Sequence, residues 1–512
     1  MPKERLLAWL LCLAGAVHVF IFAAAFPVFN QLDEGCHFDL VVRYSHGELP
    51  RGLQPMCREA SLYLLTYRSP EFAARPPNTS DGRFPTPVWL EPGANQTELF
   101  EHAATDWETA KTLPFWTNYE TSQPPLYYTL AGLWWRVGQC LGITGLQLVY
   151  WLRFLNVVFV AALVWIGYCV AREVFPGQPL FTLGVPALIA FAPVQAFYSI
   201  QNDVLSPVCF GVTFILLMRL WRAERPGIAL GAATGLGMAA TFLTKLSNVP
   251  LLAAAGIFIL LKIIRLEKQE HRDAALGRPV GAARRSYLPA LITLCLCAAV
   301  PAIAWVAWLK MAFGDFSGSA AKLHFITWTP KPFSQWWHHP IFTPEGLWTF
   351  CSQLVWTSWQ GSLHWHGDLL ALPVVDATYS ILTLSLLIFA LLNLWMRRTM
   401  IAEFQRNMLW FSFGLLAAGA AFLAWLSIIY DFGICMDPSR EHPYFAEGRL
   451  ILGAMIPGLL LYLCGLDYFL HFEKKPWTRA MTLPYIILFM LAMEAATDRT
   501  VFASQYNWYH LF

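Results

Sequence analysis

Apolar runs of about twenty residues recur along this chain, and a run of that length with few charges is the signature of a helix that crosses a bilayer. They fall near 6–27, 150–171, 180–199, 204–220, 228–244, 247–264, 287–309, 376–396, 408–430, 450–470 and 480–496. Composition agrees: of 512 residues 57% are apolar and 13% charged, against roughly 25% charged in soluble domains. The expected fold is an all-α polytopic membrane protein of about eleven transmembrane helices. The same arithmetic excludes disorder and a water-soluble globule. The net charge of +2 and the absence of a basic arm give no reason to expect a nucleic-acid partner.

Lysines and arginines set the orientation. With the N-terminus cytoplasmic, the inner connections carry 19 of the 35: Lys3 and Arg5, Arg172, Arg219 to Arg225, seven from Lys262 to Arg285, Arg397, Arg398 and Arg406, and Lys474 to Arg479. Nine of the others lie between Arg43 and Arg153, in a long loop that weighs little in the rule. The C-terminus is then outside. Residues 1–27 resemble a signal peptide, but the apolar run is longer than usual for one, so an uncleaved first span is expected. Residues 124–140 are apolar enough to suggest a span, which would invert every later segment. Pro124-Pro125 suits a helix start, and Arg136 beside Trp134 and Trp135 suits an interface, so this helix is expected to lie on the outer membrane face. One transmembrane domain, 1–512, results, with juxtamembrane helices in a first external loop, 28–149, and a second large external loop, 310–375.

Chemistry is therefore sought outside. The first external loop opens with Asp33-Glu34, then His37 and Asp39. Carboxylates against an apolar wall suit general-base work, and they equally suit a solvated helix end. Asp33 and His37 are spaced i, i+4 and would share a helical face. Asp203, after Asn202, is the lone charge of its connection, and a water-facing turn explains it as well. Lys245 and Arg449 are cations at outer span ends, where a lipid phosphate resides. Taken singly, each fits ordinary snorkelling. Tyr444 and Glu447 precede Arg449.

The order of these motifs resembles that of GT-C membrane glycosyltransferases, the group of protein O-mannosyltransferases and lipid A aminoarabinose transferases, and of related bacterial membrane proteins. The resemblance lies in Asp33-Glu34 with His37-Phe38 and Gly47-Glu48-Leu49-Pro50, Gln123-Pro-Pro-Leu-Tyr-Tyr128, Arg153 to Asn156, Asn202-Asp203, Gly235 with Thr244-Lys245, Ser358-Trp-Gln-Gly361 with Trp365, and Glu447-Gly448-Arg449. It covers about 450 residues by motif order. Leu450 stands where those bacterial relatives have Tyr, and the lectin-like insertions of the mannosyltransferases are missing.

This resemblance implies a GT-C-like bundle and an inverting sugar transferase that uses a polyprenyl-phosphate sugar donor. Asp33 would be the general base, with Glu34 and Asp203 supporting it. Lys245 and Arg449 would hold the donor phosphate, and His37, Asn202, Tyr444 and Glu447 would position the acceptor, a lipid, glycan or protein. The active site would face the periplasm from a bacterial inner membrane or, alternatively, the lumen of the endoplasmic reticulum. No cofactor is required, because a leaving monophosphate needs less help than a diphosphate; a divalent metal is the alternative, with His338, His339, His364, His366 and Asp368 as candidate ligands. Trp336, Trp337 and Trp365 read as interfacial anchors or a sugar-stacking wall. A lipid-sugar flippase and a non-catalytic scaffold are the rival readings. The first predicts charges near the bilayer midplane and an internal repeat, and no repeat is visible.

The eleven cysteines include no Cys-x-x-Cys pair, which leaves zinc ribbons and thioredoxin-type sites unsupported. Cys36, Cys57, Cys351 and Cys435 fall in loops and are open to pairing. Asn78 and Asn95 head N-glycosylation triplets in the segment 70–100, which reads as an irregular loop.

Overall fold

A computed structural model of the protein describes residues 2–30, 33–74, 84–113, 116–275, 282–435 and 437–511. Asn78 lies outside them. Among the described residues nine helices are long and apolar enough to cross a membrane: Lys3–Ala25, Gly145–Val174, Asn202–Arg222, Leu246–Arg272, Tyr287–Phe313, Pro373–Met396, Glu403–Ile429, Gly448–Leu470 and Pro476–Thr497. Pro179–Ala190 and Ile228–Thr244 are apolar but shorter. Each of the eleven runs thus carries a helix, nine at spanning length and two shorter, in keeping with a polytopic bundle of about eleven transmembrane helices.

The shortfall at Pro179–Ala190 has a physical reason. Twelve residues rise about 18 Å, against a hydrocarbon core of about 30 Å. The backbone from Ala192 to Gln201 leaves the α-helix, with one 3-10 turn at Gln195–Tyr198, and is buried in protein, where its polar groups find partners. Asn156 Nδ2 donates to the carbonyls of Phe197 and Ser199, at 3.1 and 2.7 Å. The Gln195 N–H donates to the Gln360 carbonyl at 2.8 Å, and the Gln195 side-chain oxygen accepts from Leu363 N–H at 3.0 Å. This braced segment ends at Asp203.

Ile228–Thr244 packs against Ala282–Phe313 at very close range. A Cβ on Gly235 would lie 2.3 Å from the Leu294 carbonyl oxygen, so only glycine fits. Small residues let membrane helices approach in this way, and the approach fixes the helix whose end presents Lys245.

The segment after Pro124-Pro125 forms the helix Leu126–Cys140, with Leu130, Leu133 and Val137 exposed along one side. It is too short to cross a bilayer and suits an interface. The stacked rings of Trp134 and Trp151, 4.4 Å apart, clamp it to the helix Gly145–Arg153, each indole N–H donating to the other residue's carbonyl. Trp135 departs from its expected interfacial place: it is fully buried, edge-on to Phe38 and Tyr63.

Among the described residues three two-residue antiparallel ladders tie segments outside the long helices together: Gln54–Pro55 with Thr117–Asn118, Thr329–Pro330 with Tyr430–Asp431, and His364–Trp365 with Asp368–Leu369. Of the segment 70–100, residues 75–83 lie outside the described residues; at its end Asn95 caps a helix, Gln96–Ala110, where a loop was expected. All eleven cysteines are free thiols, the four loop cysteines included.

Candidate active site

Asp33 stands at the N-terminus of the helix Glu34–Ser45, in the left-handed backbone region at φ 62°. An aspartate there usually caps the helix through its side chain. Asp33 makes no such bond. Its carboxylate instead accepts a short hydrogen bond from the Tyr119 hydroxyl and meets Arg449 Nη2 at 3.2 Å. A non-glycine residue in this conformation stores strain of about 1–3 kcal/mol, typical of functional positions.

Arg449 is the hub. Its Nη1 lies 4.0 Å from Asp203 Oδ2 and 3.4 Å from the Gln201 side-chain oxygen. The other oxygen of Asp203 is paired with Lys245 Nζ in a short ion pair. Asp33, Asp203, Lys245 and Arg449 therefore form one connected cluster, drawn from four distant places in the chain. Asp203 and Lys245 are buried, while Asp33 and Arg449 keep about a fifth of their side-chain surface open, at 19% and 21%.

Glu34 goes elsewhere. It is fully buried and accepts from Arg153 Nε and Nη2 at 2.7–3.0 Å, from Ile200 N–H at 2.9 Å and from Asn30 N–H at 3.0 Å. Arg153 also donates to the carbonyls of Ala23, Phe26 and Pro27. The pair thus binds the exit of the first span to the span carrying Arg153 and to the segment leading to Asp203. Neighbours in sequence, Asp33 and Glu34 face different surroundings.

Asn202 stays at the site edge, its Nδ2 donating to Gln123 and to the Thr244 carbonyl. His37 follows Asp33 by one helical turn, its N–H bonded to the Asp33 carbonyl. Its ring turns away to share a 2.7 Å hydrogen bond with the Tyr128 hydroxyl. Burial lowers the His37 pKa, outweighing the nearby Glu120 and Asp33. Tyr444 is not brought to the cluster. It packs with Ile341, Phe350, Leu354 and Leu423. Glu447 accepts from the Ser362 hydroxyl at 2.7 Å, and burial raises its pKa against the pull of Arg449.

Four side chains escaped the sequence reading. Besides Tyr119, they are Glu120, Gln123 and Lys322. Glu120 is buried, which opposes its charge, yet Lys322 and His37 hold its pKa down to about 2. Gln123 Nε2 donates to Glu120 at 2.5 Å and links it to Asn202. Lys322 comes from the segment 310–375, and its ion pair with Glu120 joins that segment to 28–149 beside Asp33. Gln123 lay within a quoted motif. Nothing near Lys322 in the sequence distinguishes it.

Several buried polar atoms here have no hydrogen-bond partner among the described residues: Arg449 Nε, Asp203 Oδ2, Asn202 Oδ1 and Glu447 Oε1. Such atoms are rare in folded interiors, where buried polar groups pair with protein, water or a bound group. Alongside them opens an apolar groove of ≈ 230 Å³. Leu387, Leu416, Ala420, Met455 and Tyr462 line it, and Gly448, next to Arg449, lies at its wall. A Cβ on Gly448 would lie 2.2 Å from the Ser358 amide nitrogen, so glycine is required for this approach.

The His-rich loop does not gather its candidate ligands. No three His, Cys, Asp or Glu side chains that could hold a metal come together among the described residues. His339 is tied to the Pro443 carbonyl and Ile341 N–H. His366 approaches Glu71 at 3.9 Å. Trp365 is buried edge-on to Phe72 and is no open stacking wall, while Trp337 is exposed.

The sequence profile of a family of predicted membrane proteins, DUF2142, matches residues 17–433. The chain belongs to that family. No functionally curated protein matches it. Among solved structures it is similar to the archaeal oligosaccharyltransferase AglB from Archaeoglobus fulgidus, in complex with an inhibitory peptide and a dolichol-phosphate. That likeness covers 97% of this chain and 56% of AglB, at 11% identity and a TM-score of 0.43. At this distance it carries no argument about activity.

Proposed function

We propose that this protein is a membrane glycosyltransferase of GT-C-like architecture that moves a sugar from a polyprenyl-phosphate donor to an acceptor hydroxyl at the outer membrane face. The observation that carries this reading is the cluster itself: two carboxylates and two cations converge at one place, beside an apolar groove.

The chemistry follows from the charges. The acceptor oxygen attacks the anomeric carbon and its proton passes to the Asp33 carboxylate. The bond from that carbon to the phosphate oxygen breaks on the opposite face, which inverts the configuration. The departing lipid phosphate gains one negative charge, which Arg449 and Lys245 stabilise. Arg449 is forked between Asp33 and Asp203, so an arriving phosphate competes for it and releases the Asp33 oxygen it had occupied. The prenyl chain lies in the groove beside Gly448. Asn202 and Glu447 border the acceptor space, while Glu34, His37 and Tyr444 hold the scaffold. No step is routed through a metal. The acceptor hydroxyl belongs to a lipid, glycan or protein on the periplasmic or lumenal side.

The flippase reading gains little support. His18 and Glu494 pair across two of the spans, with Glu494 in the last turn of its helix, away from the midplane. The deciding experiment supplies membranes containing the protein with radiolabelled polyprenyl-phosphate sugars. Label should appear in an acceptor fraction with wild type and vanish with Asp33→Asn. Label that crosses the membrane still attached to its lipid would favour the flippase.

A further inference from the structure

On the opposite side of the protein from the cluster, among the connections assigned to the cytoplasm, a cleft of ≈ 790 Å³ opens between the helices Pro373–Met396 and Glu403–Ile429. Arg398, Arg406, Trp395 and Trp410 line it, together with Glu403. Arg406 donates to the Arg398 carbonyl at 2.7 Å, which fixes its guanidinium at the cleft. The one carboxylate, Glu403, is neutralised by Arg265 at 2.7 Å. The cleft is therefore basic in balance.

Trp410 also lines a second, apolar groove, which lies against the helix Val249–Ala275. Its floor is a stack of three rings: Trp221 on Phe258 at 4.3 Å, and Phe258 on Phe411 at 4.0 Å. Gly414 faces open space at this groove, since a Cβ there would meet nothing within 4 Å. At the groove sits Asn407, whose amide nitrogen is buried and has no hydrogen-bond partner among the described residues. Basic head, unspent amide donor and apolar trough thus follow one another in the order of a phospholipid's phosphate, ester and chains. Juxtamembrane arginines between helices attract anionic lipid headgroups, and a buried donor without an acceptor is costly.

We infer that this face binds one anionic diacyl phospholipid of the cytoplasmic leaflet. The phosphate lies between Arg398 and Arg406, an ester carbonyl accepts from Asn407, and an acyl chain runs along the ring stack. The site is separate from the outer cluster and stands whether or not the protein transfers sugars.

Native mass spectrometry of the full-length detergent-solubilised protein tests this, titrated with dioleoyl phosphatidylglycerol, dioleoyl phosphatidylcholine and undecaprenyl phosphate. Wild type should retain one phosphatidylglycerol roughly tenfold more tightly than phosphatidylcholine. Arg398→Ala, an exposed position, should lower that preference several-fold, and Arg398→Ala with Arg406→Ala should abolish it. Arg397→Ala removes the same charge from a guanidinium that lies over Tyr468, outside the cleft, and should change nothing. Asn407→Leu should weaken phosphatidylglycerol and spare undecaprenyl phosphate, which has no acyl ester carbonyl. Equal binding of the two phospholipids by wild type, or an equal loss in Arg397→Ala, overturns the site. Equal weakening of both phosphate lipids by Asn407→Leu overturns the choice of a diacyl lipid.

Discussion

Arg449 and Asp33 are separated by 416 positions in the chain and meet at 3.2 Å. The same guanidinium reaches Asp203 at 4.0 Å, so one side chain connects the end of the first span with the start of the span Asn202–Arg222. A planar fork is needed for this, and a lysine, with one point charge, cannot serve both acids.

Arg449→Lys should therefore behave as a severe change despite its retained charge. Transfer is expected to fall about 10²- to 10³-fold, chiefly in kcat, because the lost contact is to charge that develops as the phosphate leaves. Steady-state kinetics with a purified polyprenyl-phosphate sugar would measure it; wild-type kcat in the lysine variant removes Arg449 from the leaving-group role.

Asp33→Asn keeps the size of the side chain and removes its basicity. Turnover should drop about 10²- to 10⁴-fold, while donor binding, read by competition with a fluorescent polyprenyl phosphate, should stay within a few-fold of wild type. Near-normal turnover eliminates Asp33 as the base.

Glu120 and Lys322 hold the segments 28–149 and 310–375 together, and the depressed Glu120 pKa makes this contact pH-dependent. A carboxylate whose folded pKa of about 2 lies below its usual 4.5 adds stability above the upper value, and loses it as pH falls toward the lower. Glu120→Gln should destabilise by about 1.5–3 kcal/mol at pH 7, and the gap from wild type should close between about pH 4.5 and 2. Unfolding midpoints in detergent across that range give the answer, with a gap independent of pH as the contrary result.

Glu494 supports the site from inside the bundle. It accepts from the Tyr198 hydroxyl and pairs with His18 Nε2 at 2.7 Å, and His18 Nδ1 faces the Ala190 carbonyl at 3.0 Å. Tyr198 begins the stretch that leads to Asp203. Glu494→Ala strands two buried partners and should cost about 3 kcal/mol, visible as a lower thermal midpoint, with Glu494→Gln closer to wild type. An Ala variant as stable as wild type would show that the network bears no weight.

Ala420 lines the groove assigned to the prenyl chain. Ala420→Trp should fill it, raising KM severalfold for a long-chain donor and little for a short-chain analogue. An equal effect on both donors argues that the chain lies elsewhere.

The sequence by itself determined the class of this protein. Apolar runs of membrane length must become helices, since no water in the hydrocarbon satisfies their backbone groups, and the lysine and arginine bias assigned their direction. Asp33, Asp203, Lys245 and Arg449 were also legible as charges at span ends. Their meeting was not, because it depends on how distant helices pack. Tertiary structure alone separated Asp33 from Glu34, since the left-handed turn at Asp33 aims one carboxylate at Arg449 and the other at buried Arg153. It alone shortened Pro179–Ala190, whose irregular continuation is tolerated only where neighbouring side chains supply hydrogen bonds. It alone brought Lys322 to Glu120, across 202 positions of chain. Local sequence encodes hydrophobicity and helix ends, whereas a charge cluster is fixed by contacts between segments that share no local signal.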